Sequence, residues 1–202
     1  MAPDTVVFDV GNVLIRWDAR QLFRQLLPDE AAIDRFYDEV DFSGWNLEQD
    51  RGRSFAEGIA HIDRHHPHYG HLARAYDARW QEAVPGVIEG SLAVLERLRA
   101  SGVPLYAITN YSKEKWADSL LRFPFLGQFR DVVVSAHERL VKPDPAIYRV
   151  LLDRNGLAAG QCVFVDDSDK NVAAARALGM QGVDFSSPEA LAAELRELGF
   201  SV

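Results

Sequence analysis

Residues 6–14 read Val-Val-Phe-Asp-Val-Gly-Asn-Val-Leu, and the predicted fold is organised around them. The consecutive apolar residues Val6, Val7 and Phe8 are typical of a parallel strand that is buried on both faces. Asp9 follows at the carboxyl end of this strand, the edge where open α/β sheets bind their ligands. An aspartate that ends a strand is most often a turn former or a helix cap, so its role depends on what the rest of the chain places beside it.

Apolar strands and amphipathic helices alternate from residue 87 onward. Further strands are predicted at 105–108, 132–134, 163–165 and 182–184. Helix-ending glycines and helix-starting residue pairs separate these strands: Gly102, Gly156, Gly179, Asp144-Pro145 and Ser187-Pro188. The alternation predicts an α/β fold with a Rossmann-like parallel sheet, right-handed crossovers and helices on both faces.

Residues 18–85 have a different pattern. Apolar side chains recur there at helical spacing, with helices predicted around 22–40, 55–62 and 71–84 and no convincing strand. The stretch Trp45–Gly52 is predicted to link two of these helices. We therefore expect a Rossmann-like core formed by residues 1–17 and 86–202, with an inserted all-helical cap at 18–85.

Composition and charge limit the class of protein. The 202 residues are 48% hydrophobic and 26% charged, and the formal charge of −8 argues against nucleic acid or anionic membrane as a partner. A small anionic substrate stays compatible with this charge. Met1–Thr5 lacks the features of a signal peptide, and no apolar run approaches the ~18 residues of a membrane span. The single Cys162 fits a reducing compartment, so we expect a cytoplasmic protein. We expect it to be a monomer or a homodimer.

Polar residues follow the predicted strands at the points where the strands end. They are Asp9 after the first strand, Thr109-Asn110 after the second, Lys142 in the loop after the third, and Asp166-Asp167 after the fourth. Each has an ordinary explanation when taken alone, as a helix cap, a turn or a solvated lysine. The carboxyl ends of neighbouring parallel strands lie close together, so these groups are expected to share one crevice.

Three carboxylates in one crevice repel each other, and a positive charge must compensate. Mg²⁺ would do so, because it prefers oxygen ligands and is usually held by one or two carboxylates together with water and substrate phosphate. Lys142 supplies a second positive charge and Thr109 a hydroxyl donor. This set of groups suits a carboxylate nucleophile that attacks a phosphoryl group and forms an aspartyl-phosphate.

These residues resemble the haloacid dehalogenase-like (HAD) hydrolase superfamily over essentially the whole chain. The resemblance is carried by Phe8-Asp9-Val10-Gly11-Asn12-Val13, Thr109-Asn110, Lys142-Pro143, and Asp166-Asp167-Ser168 with Asn171. The helical insert resembles the cap domain of the first cap class. Within the superfamily the motifs are most similar to the α-D-glucose-1-phosphate phosphatase group and the related N-terminal phosphatase domain of soluble epoxide hydrolase.

The resemblance implies a role for each matched residue. Asp9 would be the nucleophile, and Thr109 and Lys142 would hold the phosphoryl oxygens. Mg²⁺ would be bound by Asp9, the main-chain carbonyl of Gly11, and Asp166 or Asp167. The residues expected to line the substrate site are Gly11, Asn12, Asn110 and, from the insert, Trp45 and Arg51.

Gly11 departs from the pattern of most phosphatases in the superfamily. They carry a second aspartate at this position as the general acid and base, an effect typically worth ~10²–10⁴ in rate. Three explanations are open for the absence of this aspartate. They are a good leaving group, a cap residue or ordered water that replaces the acid, and a substrate that needs no proton. The sequence therefore predicts a Mg²⁺-dependent phosphatase of a small phosphomonoester, with a sugar phosphate as one candidate. The alternatives are a metal-free 2-haloacid dehalogenase and a catalytically weak binding protein.

Overall fold

The computed structural model describes residues 2–202. In that range the strands form a five-stranded parallel sheet in the order β3-β2-β1-β4-β5. The strands are β1 (Thr5–Phe8), β2 (Leu105–Thr109), β3 (Asp131–Val134), β4 (Cys162–Asp166) and β5 (Gln181–Asp184). Strands β2 and β3 lie in sequence order on one side of β1, and β4 and β5 lie on its other side. The predicted Rossmann-like α/β class is confirmed, and the reversal of strand order lies between β1 and β4, where such sheets bind ligands.

The segment between β1 and Pro85 is helical, as its apolar spacing predicts. Its helices are α1 (Arg20–Phe23), α2 (Glu30–Val40), α3 (Phe42–Asp50), α4 (Phe55–His65) and α5 (Gly70–Ala78), with 3₁₀ turns at Pro67–Tyr69 and Trp80–Glu82. Buried aromatic rings hold these helices together: the Phe23 and Phe42 ring centroids are 5.3 Å apart, and those of Phe42 and Tyr76 are 5.2 Å apart. These rings belong to the same buried cluster as Val6 and Phe8 of β1, so the insert packs continuously with one face of the sheet.

Helix α3 corrects the link predicted at Trp45–Gly52, because the chain stays helical as far as Asp50. The Asp41 carboxylate accepts a hydrogen bond from the Gly44 N–H at 3.2 Å and so caps the start of this helix. Trp45 and Gln49 both face inward, and the Gln49 amide donates to the Trp45 carbonyl at 2.7 Å. A buried glutamine on the inner face conceals the apolar periodicity on which the prediction depends.

The helices of the core lie between and after the later strands. They are α6 (Glu89–Ala100), α7 (Lys113–Arg122), α8 (Ser135–Glu138), α9 (Pro145–Asn155), α10 (Asp169–Ala177) and α11 (Pro188–Glu197), with 3₁₀ turns at Pro124–Gln128 and Ala159–Gln161. The predicted start signals act as caps: the Ser187 side chain accepts from the Ala190 N–H, and the Asp144 side chain from the Ala146 N–H. Within residues 2–202, no helix combines the length and apolar character needed to cross a bilayer.

Alternate residues of β1 face the two sides of the sheet. Val7 belongs to a buried cluster with Ile147 and Leu151 of α9, whereas Val6 belongs to the cluster that contains Leu98 of α6 and Leu195 of α11. Both faces of the central strand are therefore covered, which explains why the sequence of β1 is a continuous apolar run.

The two ends of the helical insert are hydrogen-bonded to each other beside the Asp9 loop. The Arg16 N–H donates to the Gly86 carbonyl at 2.9 Å, and the Asp18 N–H donates to the Ala83 carbonyl at 2.8 Å. The Ile88 N–H in turn donates to the Leu14 carbonyl at 2.8 Å. This pairing places the insert beside the carboxyl end of β1.

Candidate active site

Lys142 joins two of the predicted carboxylates into one buried group. Its Nζ lies 2.7 Å from Asp9 Oδ1 and 2.7 Å from Asp166 Oδ2. Asp9 follows β1, Asp166 is the last residue of the neighbouring strand β4, and Lys142 lies in the loop after α8. All three residues are buried. Buried charges persist only when they are paired, so this ion cluster fixes the positions of all three side chains.

Asp166 has additional hydrogen-bond donors around it. The Asn171 side-chain amide lies 2.9 Å and 3.1 Å from its two carboxylate oxygens, and the Ser168 N–H donates to Oδ1 at 2.9 Å. Lys142 donates to Oδ2 as well, so three residues donate hydrogen bonds to this carboxylate. Asp166 is therefore held as a charged, hydrogen-bonded anchor for Lys142.

Asp167 differs from its neighbour in both exposure and partners. Its side chain is exposed and forms no ion pair within residues 2–202, yet carboxylate oxygens of Asp9, Asp166 and Asp167 lie within 4.8 Å of one another. The Gly11 carbonyl, on the same edge, accepts no backbone hydrogen bond from the described residues. Two carboxylates and a free carbonyl supply the oxygen donor set that a hard divalent cation requires, so these residues fit Mg²⁺.

Charge and burial change the proton affinity of this cluster. Burial raises the pKa of Asp9 to about 7; the charge of Lys142 opposes this rise, and the charges of Asp166 and Asp167 add to it. Burial acts to lower the pKa of Lys142, but the two adjoining carboxylates outweigh it and raise that pKa. Lys142 is therefore cationic at neutral pH. A cation beside Asp9 would favour its ionised form, which is the nucleophilic one.

Thr109 and Asn110 occupy the end of β2 in different ways. The Thr109 hydroxyl is buried and has no hydrogen-bond partner among the described residues. A buried polar atom without a partner costs free energy and calls for an explanation such as a missing ligand. The Asn110 side chain instead pairs with the backbone of Lys142 in both directions, at 3.1 Å and 2.8 Å. Asn110 thus positions the loop that presents the lysine.

Gly11 and Asn12 form the turn that follows Asp9. Asn12 adopts a left-handed conformation with φ of 53°, which asparagine tolerates better than most residues. Its side-chain oxygen accepts the Trp17 N–H at 2.9 Å and fixes the path of the chain toward the insert. A Cβ added to Gly11 would meet no atom within 4 Å, so the space above this position is open.

A cavity of about 210 Å³ lies between this edge of the sheet and the insert. The core contributes lining residues that include Asp9, Gly11, Asn12, Asn110 and Asp167. Aromatic rings form much of the rest of the wall: Trp17, Phe55, Tyr76, Trp80 and Tyr111. Asn46, Asp50 and Lys115 add polar groups to that wall. An acidic, cation-binding floor and an aromatic wall with a few polar groups suit a small anionic substrate with a compact organic part.

Trp45 and Arg51 are not brought to this cavity. Trp45 is 5% exposed, and its indole N–H donates to the Gly58 carbonyl at 2.9 Å inside the insert. Arg51 is exposed and pairs with Glu48 on the same surface. The helical course of α3 turns Trp45 inward and leaves Arg51 just beyond the end of the helix, so neither of these two predicted substrate residues lines the cavity.

Asp50 and Lys115 are among the cavity residues that the sequence does not identify. Asp50 and Asn46 are four residues apart on α3, so the helix presents both on one face, but this spacing is visible only once 42–50 is assigned as a helix. Lys115 forms an ion pair with Asp77 at 2.6 Å, and its Nζ lies 4.7 Å from the centroid of the Phe55 ring. No local sequence signal distinguishes it from a solvated helix lysine.

A sequence profile of haloacid dehalogenase-like hydrolases matches residues 3–179. The chain belongs to this family. The match includes the insert and all the strand ends that form the site, so the family resemblance of the sequence motifs is confirmed. The chain thus has the fold of this family.

Several HAD relatives are phosphatases. The chain is 32% identical over 106 residues to a sesquiterpene phosphatase of Aspergillus oryzae, matching 52% of this chain and 54% of that protein. It is 37% identical over 100 residues to a phosphoglycolate phosphatase of Xanthomonas campestris, matching 48% of this chain and 44% of that protein. The chain therefore spans about half the length of these two relatives.

A solved HAD structure has the same fold over nearly the whole chain. It is a HAD family enzyme of Bacteroides thetaiotaomicron in a magnesium complex, with a TM-score of 0.78 and 22% identity. The alignment covers 97% of this chain and 100% of that one. At this identity the likeness shows the fold, including the placement of a helical insert over a parallel sheet.

Proposed function

We propose that this HAD hydrolase is a Mg²⁺-dependent phosphatase that acts on a small phosphomonoester through a phospho-Asp9 intermediate. The observation that carries the proposal is the Asp9–Lys142–Asp166 cluster, with Asp167 free beside it and the Thr109 hydroxyl left without a partner. Each group then has a task in phosphoryl transfer. The phosphatase relatives support this choice of reaction.

Asp9 would attack phosphorus with one carboxylate oxygen, forming the Asp9–phosphorus bond as the bond to the leaving oxygen breaks. The Lys142 ammonium and the Thr109 hydroxyl would hold the non-bridging phosphoryl oxygens, where negative charge must be stabilised in the transition state. Water then attacks the phosphoryl group, which releases phosphate and regenerates Asp9. Asp166 keeps Lys142 in place through both steps.

The residues that would hold Mg²⁺ are Asp9, the Gly11 carbonyl and Asp167. Asp166 is assigned to the lysine instead, because its oxygens already accept from Lys142, Asn171 and the Ser168 N–H. When bound, the cation would offset the charge of Asp9 and of the incoming phosphate. This assignment selects Asp167 over Asp166, a choice that the sequence motif leaves open.

The helical insert, residues 18–85, would serve as the cap domain. It provides most of the aromatic wall and encloses the leaving group, which keeps bulk water from the phosphoryl centre. A cavity of about 210 Å³ limits the organic part of the substrate to a small group, and a sugar phosphate is one candidate. An acidic chain of this kind, acting on a small anion, is proposed to work in the cytoplasm as a monomer or homodimer.

A single pair of assays tests the reaction class. We expect hydrolysis of p-nitrophenyl phosphate with Mg²⁺, loss of that activity after chelation, and its recovery when Mg²⁺ is added back. The physical reason is that Asp9 and Asp167 face each other without a cation between them once Mg²⁺ is removed. Phosphate release is measured in the same buffer with EDTA and with an excess of Mg²⁺.

Halide release from 2-chloropropionate without metal is measured in parallel. Chloride release with no phosphatase activity would establish the dehalogenase alternative and reject the proposal. Phosphatase activity that survives thorough chelation would reject the metal assignment. If neither substrate is turned over, the binding-protein alternative gains, and the proposed reaction fails.

A further inference from the structure

No carboxyl group on the core side of the cavity is left to protonate the leaving oxygen in the proposed reaction. Gly11 has no side chain, although a Cβ there would meet no atom within 4 Å. Asp9 is committed to attack, and Asp167 is proposed to bind the cation. A group that donates a proton must therefore come from elsewhere in the cavity wall.

Asp50 is the carboxyl group that the insert presents to this cavity. Of the residues lining the cavity in the described chain, three carry a carboxyl group: Asp9, Asp167 and Asp50. Asp50 lies outside the cluster of Asp9, Asp166 and Asp167 that fits a metal. Its side chain is partly buried and forms no hydrogen bond or ion pair that the structure of residues 2–202 records. It is a polar group aimed at the cavity with no partner in the protein.

The position of Asp50 disfavours the ionised form of its carboxyl group. It is the last residue of α3, where the helix dipole disfavours negative charge and favours lysine or arginine. Burying a carboxyl group without a partner costs further free energy. A residue that disfavours folding at its own position is more readily explained by a task in the cavity.

The surroundings of Asp50 keep it protonated. Burial raises its pKa to about 8, and the charge of Asp9 raises it further against an opposing effect of Lys142. The carboxyl group can therefore donate a proton at neutral pH, as a general acid must. Asp50 of the insert and Asp9 of the core line the same cavity, so a phosphate ester bound at Asp9 would share that cavity with the Asp50 carboxyl group.

We propose that Asp50 is the general acid and base that substitutes for the carboxylate missing at Gly11. The inference rests on the proposed phosphatase function. As the bond from phosphorus to the leaving oxygen breaks, its electron pair stays on that oxygen and takes the proton of the Asp50 carboxyl group. The Asp50 carboxylate then accepts a proton from the water that attacks phospho-Asp9, which restores both side chains.

The test compares two leaving groups in the variant Asp50→Asn. p-Nitrophenolate leaves without a proton, whereas the alkoxide of glycerol 1-phosphate needs one. The ratio kcat/KM reports only the steps up to phosphorylation of Asp9, so it isolates proton donation. We expect Asp50→Asn to lower kcat/KM for glycerol 1-phosphate by ~10²–10⁴ and for p-nitrophenyl phosphate by less than about tenfold.

Asparagine keeps the shape of the side chain and removes no recorded hydrogen bond, so the fold should be retained. Asp50→Ala serves as a second variant with the same expected selectivity, and urea denaturation checks both. Asp38→Asn is the matched control, because Asp38 is an exposed carboxylate of the insert without a recorded side-chain partner, and it should leave both rates unchanged.

An equal loss on both substrates would assign Asp50 a structural role and overturn the inference. No loss on either substrate, or a wild-type enzyme that hydrolyses only the aryl ester, would overturn it as well. Failure of the proposed function is distinguishable, since the wild-type enzyme would then hydrolyse neither ester in the presence of Mg²⁺.

Discussion

Asp9→Asn is expected to abolish turnover of p-nitrophenyl phosphate, with a loss in kcat on the order of 10⁴ or more. The amide is nearly isosteric with the carboxylate but is a poor nucleophile, and it cannot form an acyl phosphate. It also removes one of the oxygen ligands proposed for Mg²⁺. Release of p-nitrophenol by the purified variant, followed at saturating substrate and Mg²⁺, measures the effect.

Asp4→Asn is the matched control for this variant. Asp4 lies immediately before β1, at the opposite edge of the sheet, and its exposed carboxylate accepts only the Thr5 hydroxyl. We expect wild-type turnover from Asp4→Asn. Near-wild-type turnover from Asp9→Asn would show that Asp9 is not the nucleophile, regardless of the turnover of Asp4→Asn.

Lys142→Met is expected to have the largest effect on stability. The lysine is the cation between two buried carboxylates, at 2.7 Å from each, and methionine retains its length without its charge. Removing one partner from a buried ion cluster typically costs about 3–5 kcal/mol of unfolding free energy. Urea denaturation without Mg²⁺ measures this loss, and activity should fall to background.

Mg²⁺ should restore part of the stability of Lys142→Met, because a cation held by Asp9 and Asp167 would offset the negative charge of Asp9 that the lysine no longer neutralises. Lys170→Met is the control, since Lys170 is exposed on the first turn of α10 and its side chain has no recorded partner. Its stability should match the wild-type value within about 0.5 kcal/mol. An unchanged unfolding free energy for Lys142→Met would contradict the role of the lysine in the cluster.

The core of the fold is readable from local sequence because its strands are buried on both faces. Val6 to Phe8 contact helices on both sides of the sheet, so the whole run must be apolar and the strand is easily identified. Caps such as Ser187 and Asp144 then mark where the following helices begin.

The helices of the insert are harder to predict from sequence, because contacts between them stabilise them. Helix α3 contains a glycine and buries Gln49, whose amide is satisfied only by the backbone and by Arg53. Such a helix is stabilised by tertiary contacts with the aromatic cluster rather than by its own propensity or apolar pattern.

The strand-end residues of the site could be identified because topology alone brings them together. The carboxyl ends of β1, β2 and β4 share one edge, so Asp9, Thr109 and Asp166 converge whatever the loops do. The different tasks of Asp166 and Asp167 could not be read from the motif, because they depend on which carboxylate faces Lys142 and Asn171. Asp50 could not be identified without the path of the insert.

The proposed phospho-Asp9 intermediate is the central claim, and direct detection tests it. The wild-type enzyme is mixed with p-nitrophenyl phosphate and Mg²⁺, quenched in acid on the millisecond timescale, digested and analysed by peptide mass spectrometry. The predicted result is one phosphoryl group on Asp9, present during turnover and absent without Mg²⁺. Turnover with no phosphoryl group on Asp9 at any quench time, or with the group on another residue, would contradict the account.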